Sequence, residues 1–304
     1  MKQRPLTLCT SGESQRNQAE SFKPRMRNCA STSVLVIGVI SAAFLAIIPA
    51  AASARDFAAD LTSAQEKYST GDLDAALQQL EPLLAATDAD QPTKRRVREL
   101  TARVLQSRGE EHFRKARIAE SIADFERQIQ LQPDQAPGHW QLGIAYYYAG
   151  EYKKGARQFE LHKTVNPQDV ENAAWHFLCV VRTPEGSVKA AQKSLISVTR
   201  DSRVPMAQVQ QLFAGKLTPE EVLQAGKDAG GTAKFYADLY AGLYYEALGN
   251  ADESLRLVAQ AADNPAAKNS YMGDVARVHV ALRKKPVSKT LKTQLDAERA
   301  PATP

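Results

Sequence analysis

Cysteine is scarce in this chain of 304 residues. Of its three cysteines, Cys9 and Cys29 lie in the first 54 residues, so only Cys179 belongs to the rest of the chain. A single cysteine cannot form an internal disulfide, and the fold beyond residue 54 must therefore be stabilised by its core. With a hydrophobic content of 43%, the chain is long enough to bury such a core in one or two domains.

Net charge is also low once the N-terminal segment is set apart. The whole chain carries a formal charge of +5, from 39 Lys and Arg against 34 Asp and Glu. Residues 1–54 hold six of the basic and two of the acidic residues, which leaves 33 and 32, a net charge of +1, in residues 55–304. Proteins that bind nucleic acid carry a basic face or stripe. The near-neutral remainder therefore argues against nucleic acid as a partner.

Patterns typical of catalysis and metal binding are missing as well. The five histidines never form an i, i+4 pair, and no HExxH, CxxC or Gly-rich phosphate loop is present. His176 lies three residues before Cys179, on the same helical face, but the sequence shows neither the oxyanion stabiliser nor the third group that a nucleophile needs. We predict no enzymatic activity, no metal and no cofactor. The alternative is an enzyme that uses Cys179 or the histidines.

One long hydrophobic run is present, near the N-terminus. Residues 34–52 carry no charge. Basic residues precede this run and small residues follow it, namely Lys23, Arg25, Arg27 and Ala52-Ser53-Ala54. This arrangement is typical of a secretory signal, so we predict that residues 1–54 are a cleaved signal peptide, with Met26 as an alternative start. The run also has the length of a membrane span, so an uncleaved anchor is the alternative. The positive flank places the rest outside the cytoplasm in either case, either in the periplasm or at the envelope membrane.

The middle of the chain repeats with a period of 34 residues. Three pairs of identical residues have this spacing: Gly109 and Gly143, Phe125 and Phe159, and Pro133 and Pro167. The tetratricopeptide repeat, a pair of packed antiparallel helices, has the same period. Its clearest match is "LGIAYYYAGEYKKGARQFELHKTVNP", where Gly150 closes the first helix and Pro167 stops the second. The pattern predicts an all-α fold, a solenoid of helix-turn-helix pairs.

Three further units match this pattern less completely, at residues 64–88, 107–133 and 240–265. Four pairs exceed the roughly three that a stable solenoid needs. Between Asp169 and Gly231 the repeat register disappears, although the segment still has helical patterning. We therefore predict N-terminal repeat units over 55–169, an irregular helical insert over 170–231, a C-terminal repeat unit over 232–283 and a mobile tail over 284–304.

The order of these segments resembles a known family. The insert contains "AAWHFL" (Ala173–Leu178) and "FAGKLTPEEVL" (Phe213–Leu223), and the isolated repeat "FYADLYAGLYYEALGNADESL" (Phe235–Leu255) follows it. This layout is similar to that of the NlpI-type tetratricopeptide lipoproteins of bacterial envelopes. The resemblance implies a periplasmic scaffold that docks cell-wall hydrolases and a protease on its repeat surface, often as a homodimer. The lipidation cysteine of such lipoproteins is absent here.

From these observations we expect a non-enzymatic scaffold or adaptor of the cell envelope that binds protein or peptide partners. The alternative is a membrane-anchored structural subunit of an envelope or secretion complex. Fractionation that finds residues 55–304 soluble in the periplasm would exclude the anchored subunit.

The first helix of each repeat is expected to line a concave groove, where aromatic residues suit a peptide because they add contact area at low entropy cost. Tyr146 and Tyr152 are expected to hold helix-packing positions instead. The alternative for the groove is that the solenoid bends until its rings pack on the insert. The predicted binding residues are Phe113, Trp140, Ile144, Tyr147, Tyr148, Tyr236 and Tyr240, together with Arg103 and Arg114, which could hold a carboxylate.

Overall fold

Every regular element in the described part of the protein is a helix, which confirms the all-α prediction. The computed structural model describes residues 56–284, which lie within one compact unit. The predictions for residues 1–55 and 285–304, including the signal peptide, the alternative start and the tail, fall outside the described residues. None of the described helices combines the length and the apolar character that crossing a membrane would require.

Thirteen α-helices and two short 3-10 helices make up residues 56–284. In chain order the α-helices are α1 (Phe57–Ser69), α2 (Leu73–Leu84), α3 (Gln91–Arg114), α4 (Ile118–Leu131), α5 (Trp140–Tyr148), α6 (Tyr152–His162), α7 (Val170–Arg182), α8 (Val188–Lys193), α9 (Met206–Phe213), α10 (Pro219–Ala229), α11 (Gly231–Ala247), α12 (Ala251–Asp263) and α13 (Tyr271–Lys284). The 3-10 helices are Pro133–Gly138 and Pro265–Ala267.

The same kind of three-residue turn joins the two helices in each of four pairs: α1–α2, α3–α4, α5–α6 and α11–α12. The middle residue of each turn has a positive φ, at Gly71, Ala116, Gly150 and Gly249. In the α5–α6 turn the N–H of Glu151 donates to the carbonyl of Tyr146 at 2.9 Å, which satisfies a carbonyl that the end of α5 would leave unpaired. Such short turns force the two helices of each pair to run antiparallel.

The 34-residue spacing has a direct packing reason. A Cβ at Gly109 would lie 2.5 Å from a ring carbon of Phe125, and one at Gly143 would lie 2.6 Å from a ring carbon of Phe159. The glycines therefore allow each first helix to approach the large side chain of its partner helix, and the two pairs use the same contact. Tyr146, by contrast, packs at the pair interface as expected and is buried.

The segment between α6 and α11 is helical but irregular. It contains α7, the short α8, α9 and α10, with no helix over residues 194–205. Thr218 caps α10, because its hydroxyl accepts the N–H of Glu221, whose carboxylate accepts the N–H of Thr218 at 2.8 Å. Cys179 of α7 is fully buried.

The last helix, α13, packs against α12 and also returns to α3. The ring of Tyr271 stacks on that of Phe113 with centroids 5.2 Å apart, and the hydroxyl of Tyr148 lies 3.2 Å from Nδ1 of His279. One apolar core therefore extends from the end of α3 to α13, while a smaller second cluster joins α1, α2 and the first half of α3.

We expect Gly273→Ala to lower the free energy of unfolding by about 3 kcal/mol, because an overpacked site must displace its neighbours. A Cβ at Gly273 would lie 1.9 Å from the carbonyl oxygen of Ala267, so backbone would have to move. Gly138→Ala is the matched control, since its Cβ would meet nothing within 4 Å, and its effect should stay within about 0.5 kcal/mol. Urea unfolding measures both, and equal effects would show that α13 has room to shift.

Candidate ligand-binding cavity

A cavity of about 280 Å³ lies between α5, α7, α11 and the start of α13. We call it the aromatic cavity, after the five rings in its lining: Trp140, Phe159, Trp175, Tyr236 and Tyr271. Cavities of roughly this size, mainly apolar with a few polar groups, are typical of sites for small ligands or side chains.

The rings of the aromatic cavity are held by their helices and by one another. Trp140 is the first residue of α5, and the edge of its ring meets the ring of Tyr271, with centroids 5.0 Å apart. Trp175 is only 1% exposed. Tyr236 stacks on Tyr240, one helical turn further along α11, with 12° between the ring planes. The walls of the cavity are therefore preformed.

Three polar atoms of lining residues have no hydrogen-bond partner among the described residues: Asn172 Oδ1, Trp175 Nε1 and the hydroxyl of Tyr271. The other end of the Asn172 amide is occupied, because its Nδ2 donates to the carbonyl of Phe159 at 3.1 Å. Asn172 is 3% exposed, so its unpaired oxygen is deep in the protein. Buried polar groups are nearly always hydrogen-bonded. All three atoms have almost no accessible surface, so they lie within the walls of the cavity and not on the surface that a ligand would contact.

Carboxylates stand at the α7 end of the aromatic cavity. Asp169 and Glu171 line it, and both bond to the guanidinium of Arg203, as does Asp201. The hydroxyl of Tyr240 donates to Glu171 Oε2 at 2.7 Å. Burial raises the pKa of Glu171 above its ordinary value, against the opposing effect of these hydrogen bonds and of Arg203. Burial and the charge of Glu171 also raise the pKa of the Tyr236 hydroxyl to about 12.

The predicted binding residues divide into two groups. Trp140, Ile144 and Tyr236 line the aromatic cavity together. Phe113, Tyr147, Tyr148 and Tyr240 do not line it; Tyr147 is 1% exposed, and Phe113 and Tyr240 are not exposed at all.

The expectation of an open groove is therefore wrong for Phe113, Tyr147 and Tyr240, because other helices cover them, whereas Tyr148 is half-buried. The hydroxyl of Tyr147 donates to Glu246 of α11, and its ring meets that of Trp175 in the insert at 5.4 Å. Tyr148 is held between Phe113 and His279, which belongs to α13. The alternative reading of the sequence, in which rings pack on the insert, describes Tyr147 correctly.

The two predicted arginines are exposed and lie apart from the aromatic cavity. Arg103 lines a separate cleft of about 370 Å³ between α3, α4 and α5, together with Gln106, Gln128 and His139. Arg114 stands at the end of α3. A role for either arginine in holding a carboxylate remains a prediction.

A buried ionic cluster lies behind the aromatic rings. Glu246 of α11, 7% exposed, accepts hydrogen bonds from Arg283 Nε at 2.6 Å and from the Tyr147 hydroxyl, and lies 3.3 Å from Nη2 of Arg182. Burial alone would raise the pKa of Glu246, but the cationic groups beside it outweigh burial and hold the pKa below its ordinary value. This ionic cluster joins α5, α7, α11 and α13.

Cys179 and His176, the remaining candidates for chemistry, lie in different surroundings. Nε2 of His176 lies 3.3 Å from Glu160, whereas the Cys179 thiol faces Gly155 at the α6–α7 contact. Burial raises the pKa of the thiol, which keeps it protonated at neutral pH. Among the described residues, no group of three His, Cys, Asp or Glu is arranged to hold a metal ion.

Comparison with known proteins adds no assignment to this geometry. No protein-family model matches the chain, and no curated protein matches it significantly. The function must therefore be argued from the residues of the cavity.

Several lining residues were not predicted from the sequence, among them Asp169, Glu171, Asn172 and Tyr271. Tyr271 lies beyond the last repeat, so no periodic spacing relates it to Trp140. Asp169 and Glu171 could have been noticed as a pair of carboxylates at the start of a helix, but that pattern is more often an N-terminal cap. Trp175 packs in the core of its own chain.

Proposed function

We propose that this protein is a non-enzymatic helical-repeat scaffold of the bacterial cell envelope, and that it binds a protein or peptide partner at the aromatic cavity. The repeated turn of the four helix pairs and the 34-residue spacing support a tetratricopeptide solenoid architecture. The resemblance to NlpI-type lipoproteins supports an envelope location and partners such as cell-wall hydrolases or a protease. Export through residues 1–54 belongs to the same proposal, and N-terminal sequencing of the secreted product tests it.

The aromatic cavity is the observation that carries this proposal. Its five rings come from five helices, and the carboxylates of Asp169 and Glu171 stand at one end of it. Interfaces draw most of their binding energy from a few anchor side chains that fill such pockets. A partner residue that enters the cavity would supply both contact area and hydrogen bonds.

A membrane-anchored subunit of an envelope or secretion complex is the second candidate. It is favoured by the length of the uncharged run at residues 34–52, which suits a bilayer span. Cell fractionation separates the two candidates, because a cleaved scaffold leaves with the periplasmic fraction and an anchored subunit stays with the membranes.

A photo-crosslinking amino acid tests the binding site directly. Placed at Tyr236, which lines the cavity, p-benzoylphenylalanine should form crosslinked adducts with a partner in living cells. The matched control is Tyr245 on the same helix, which lies outside the cavity and donates its hydroxyl to Glu220 at 2.6 Å. Adducts of equal yield at both positions, or at neither, would contradict the aromatic cavity as the binding site.

A further inference from the structure

Negative charge stands at the α7 end of the aromatic cavity. The carboxylates of Asp169, Glu171 and Asp201 share the guanidinium of Arg203, which leaves a formal surplus of two negative charges there. Asp169 and Glu171 also line the cavity. A cation inside the cavity would therefore be attracted towards this end.

The aromatic lining favours the same kind of ligand. The face of an aromatic ring carries negative potential, and lysine or arginine groups placed over Trp or Tyr rings are stabilised by it. Five rings and two carboxylates line this one space. The combination is better suited to an organic cation than to an anion or a purely apolar group.

We propose that the aromatic cavity binds a lysine or arginine side chain of a partner polypeptide, with the cation between the aromatic rings and the carboxylates of Asp169 and Glu171. This inference rests on the proposed function and specifies the chemistry of the anchor residue.

The two tryptophans of the chain, Trp140 and Trp175, both line the cavity, so their indole N–H signals report on its occupancy. The experiment records these two signals by ¹H–¹⁵N NMR of the full chain during titration with N-acetyl-L-arginine N-methylamide. The same capped residue of citrulline, which is neutral and nearly the same shape, is the control ligand. We expect saturable shifts of both signals with arginine, and binding of citrulline weaker by about tenfold.

Glu171→Gln should weaken binding of the arginine ligand by about tenfold, because it removes one carboxylate of the site. Glu220→Gln is the matched control, since each of these glutamates accepts a tyrosine hydroxyl and only Glu171 lines the cavity. If Glu171→Gln fails to fold, Trp140→Leu serves in its place, and the arginine ligand should lose its advantage over citrulline in that variant.

Equal affinity for arginine and citrulline would overturn the proposal, as would titrations in which neither indole signal moves. These outcomes are distinct from failure of the proposed function. Crosslinks at Tyr236 to a partner that binds without a basic residue would leave the scaffold function intact and remove the specificity proposed here.

Discussion

Glu246→Ala is expected to lower the free energy of unfolding by about 3 kcal/mol. The substitution removes the carboxylate from the buried ionic cluster and leaves Arg182 and Arg283 without their shared partner. Removing one member of a buried ion pair typically costs about 3–5 kcal/mol, and the lower end applies here because both arginines keep about a third of their side-chain surface exposed. Urea unfolding at neutral pH, followed by circular dichroism, measures the loss.

Glu253→Ala is the control for Glu246→Ala. Glu253 pairs with Arg256 three residues later in an exposed ion pair, and such pairs contribute at most about 1 kcal/mol. A similar loss in both variants would mean that the cluster around Glu246 has no special role in joining the four helices. Tyr147→Phe removes only the hydroxyl and leaves the charged groups in place. It should lower the free energy of unfolding by about 1 kcal/mol, the usual contribution of one hydrogen bond.

Acidification is the second change with a large expected effect. Burial lowers the pKa of both His139 and His279 to about 4, from an ordinary value of 6.5. Both side chains are therefore neutral in the folded protein, whereas the unfolded chain takes up protons as soon as the pH falls below about 6.5. Stability from these residues is complete above pH 6.5 and is lost as the pH falls towards 4.

Each histidine contributes a slope of about 1.4 kcal/mol per pH unit within this window. Between pH 7.5 and pH 5 the two together should lower the free energy of unfolding by about 3–4 kcal/mol. The lowered pKa of Glu246 acts in a separate window, because a carboxylate held below its ordinary value loses its contribution only below about pH 4.5. Urea midpoints at several pH values measure the slope.

His139→Asn tests the cause of this slope. Nδ1 of His139 accepts the N–H of Leu142 at the start of α5, and asparagine is a good residue for the same capping bond. The variant should therefore keep the cap, remove one titrating group and reduce the slope by about 1.4 kcal/mol per pH unit. An unchanged slope would assign the acid sensitivity to other groups.

The helix pairs and their turns were predictable from the sequence because their signals are local. Gly71, Gly150 and Gly249 stand at turns where only a few residues separate two helices, and the glycine form of the turn can be read directly. Gly143 and Phe159 are visible for the same reason, since a fixed spacing brings a small residue to a large one. The capping box at Thr218 also requires only four consecutive residues.

The burial of Phe113, Tyr147 and Tyr240 was not predictable from such local signals. Tyr147 and Glu246 stand 99 residues apart in the chain and nevertheless share a hydrogen bond. Counting from a repeat glycine gives the direction of Tyr147 relative to its own helix, but it does not show which other helix lies there. From the sequence alone, Glu246 looks like a solvent-exposed charge. Its ion pairs with Arg182 and Arg283 come from two other helices and are visible only in the structure. The cavity depends on the same long-range contacts, and the sequence shows only part of its lining.

Because α13 packs against α3, part of the core stays uncovered while the chain is being synthesised on the ribosome. Tyr148 and His279 are 131 residues apart, and α13 is the last of the described helices to be synthesised. At about 5–20 residues per second, Tyr148 waits roughly 7–26 s for its partner. During that interval the rings of Phe113, Trp140 and Tyr148 lack the cover that α13 provides, and a nascent chain with such a surface is a natural client for chaperones.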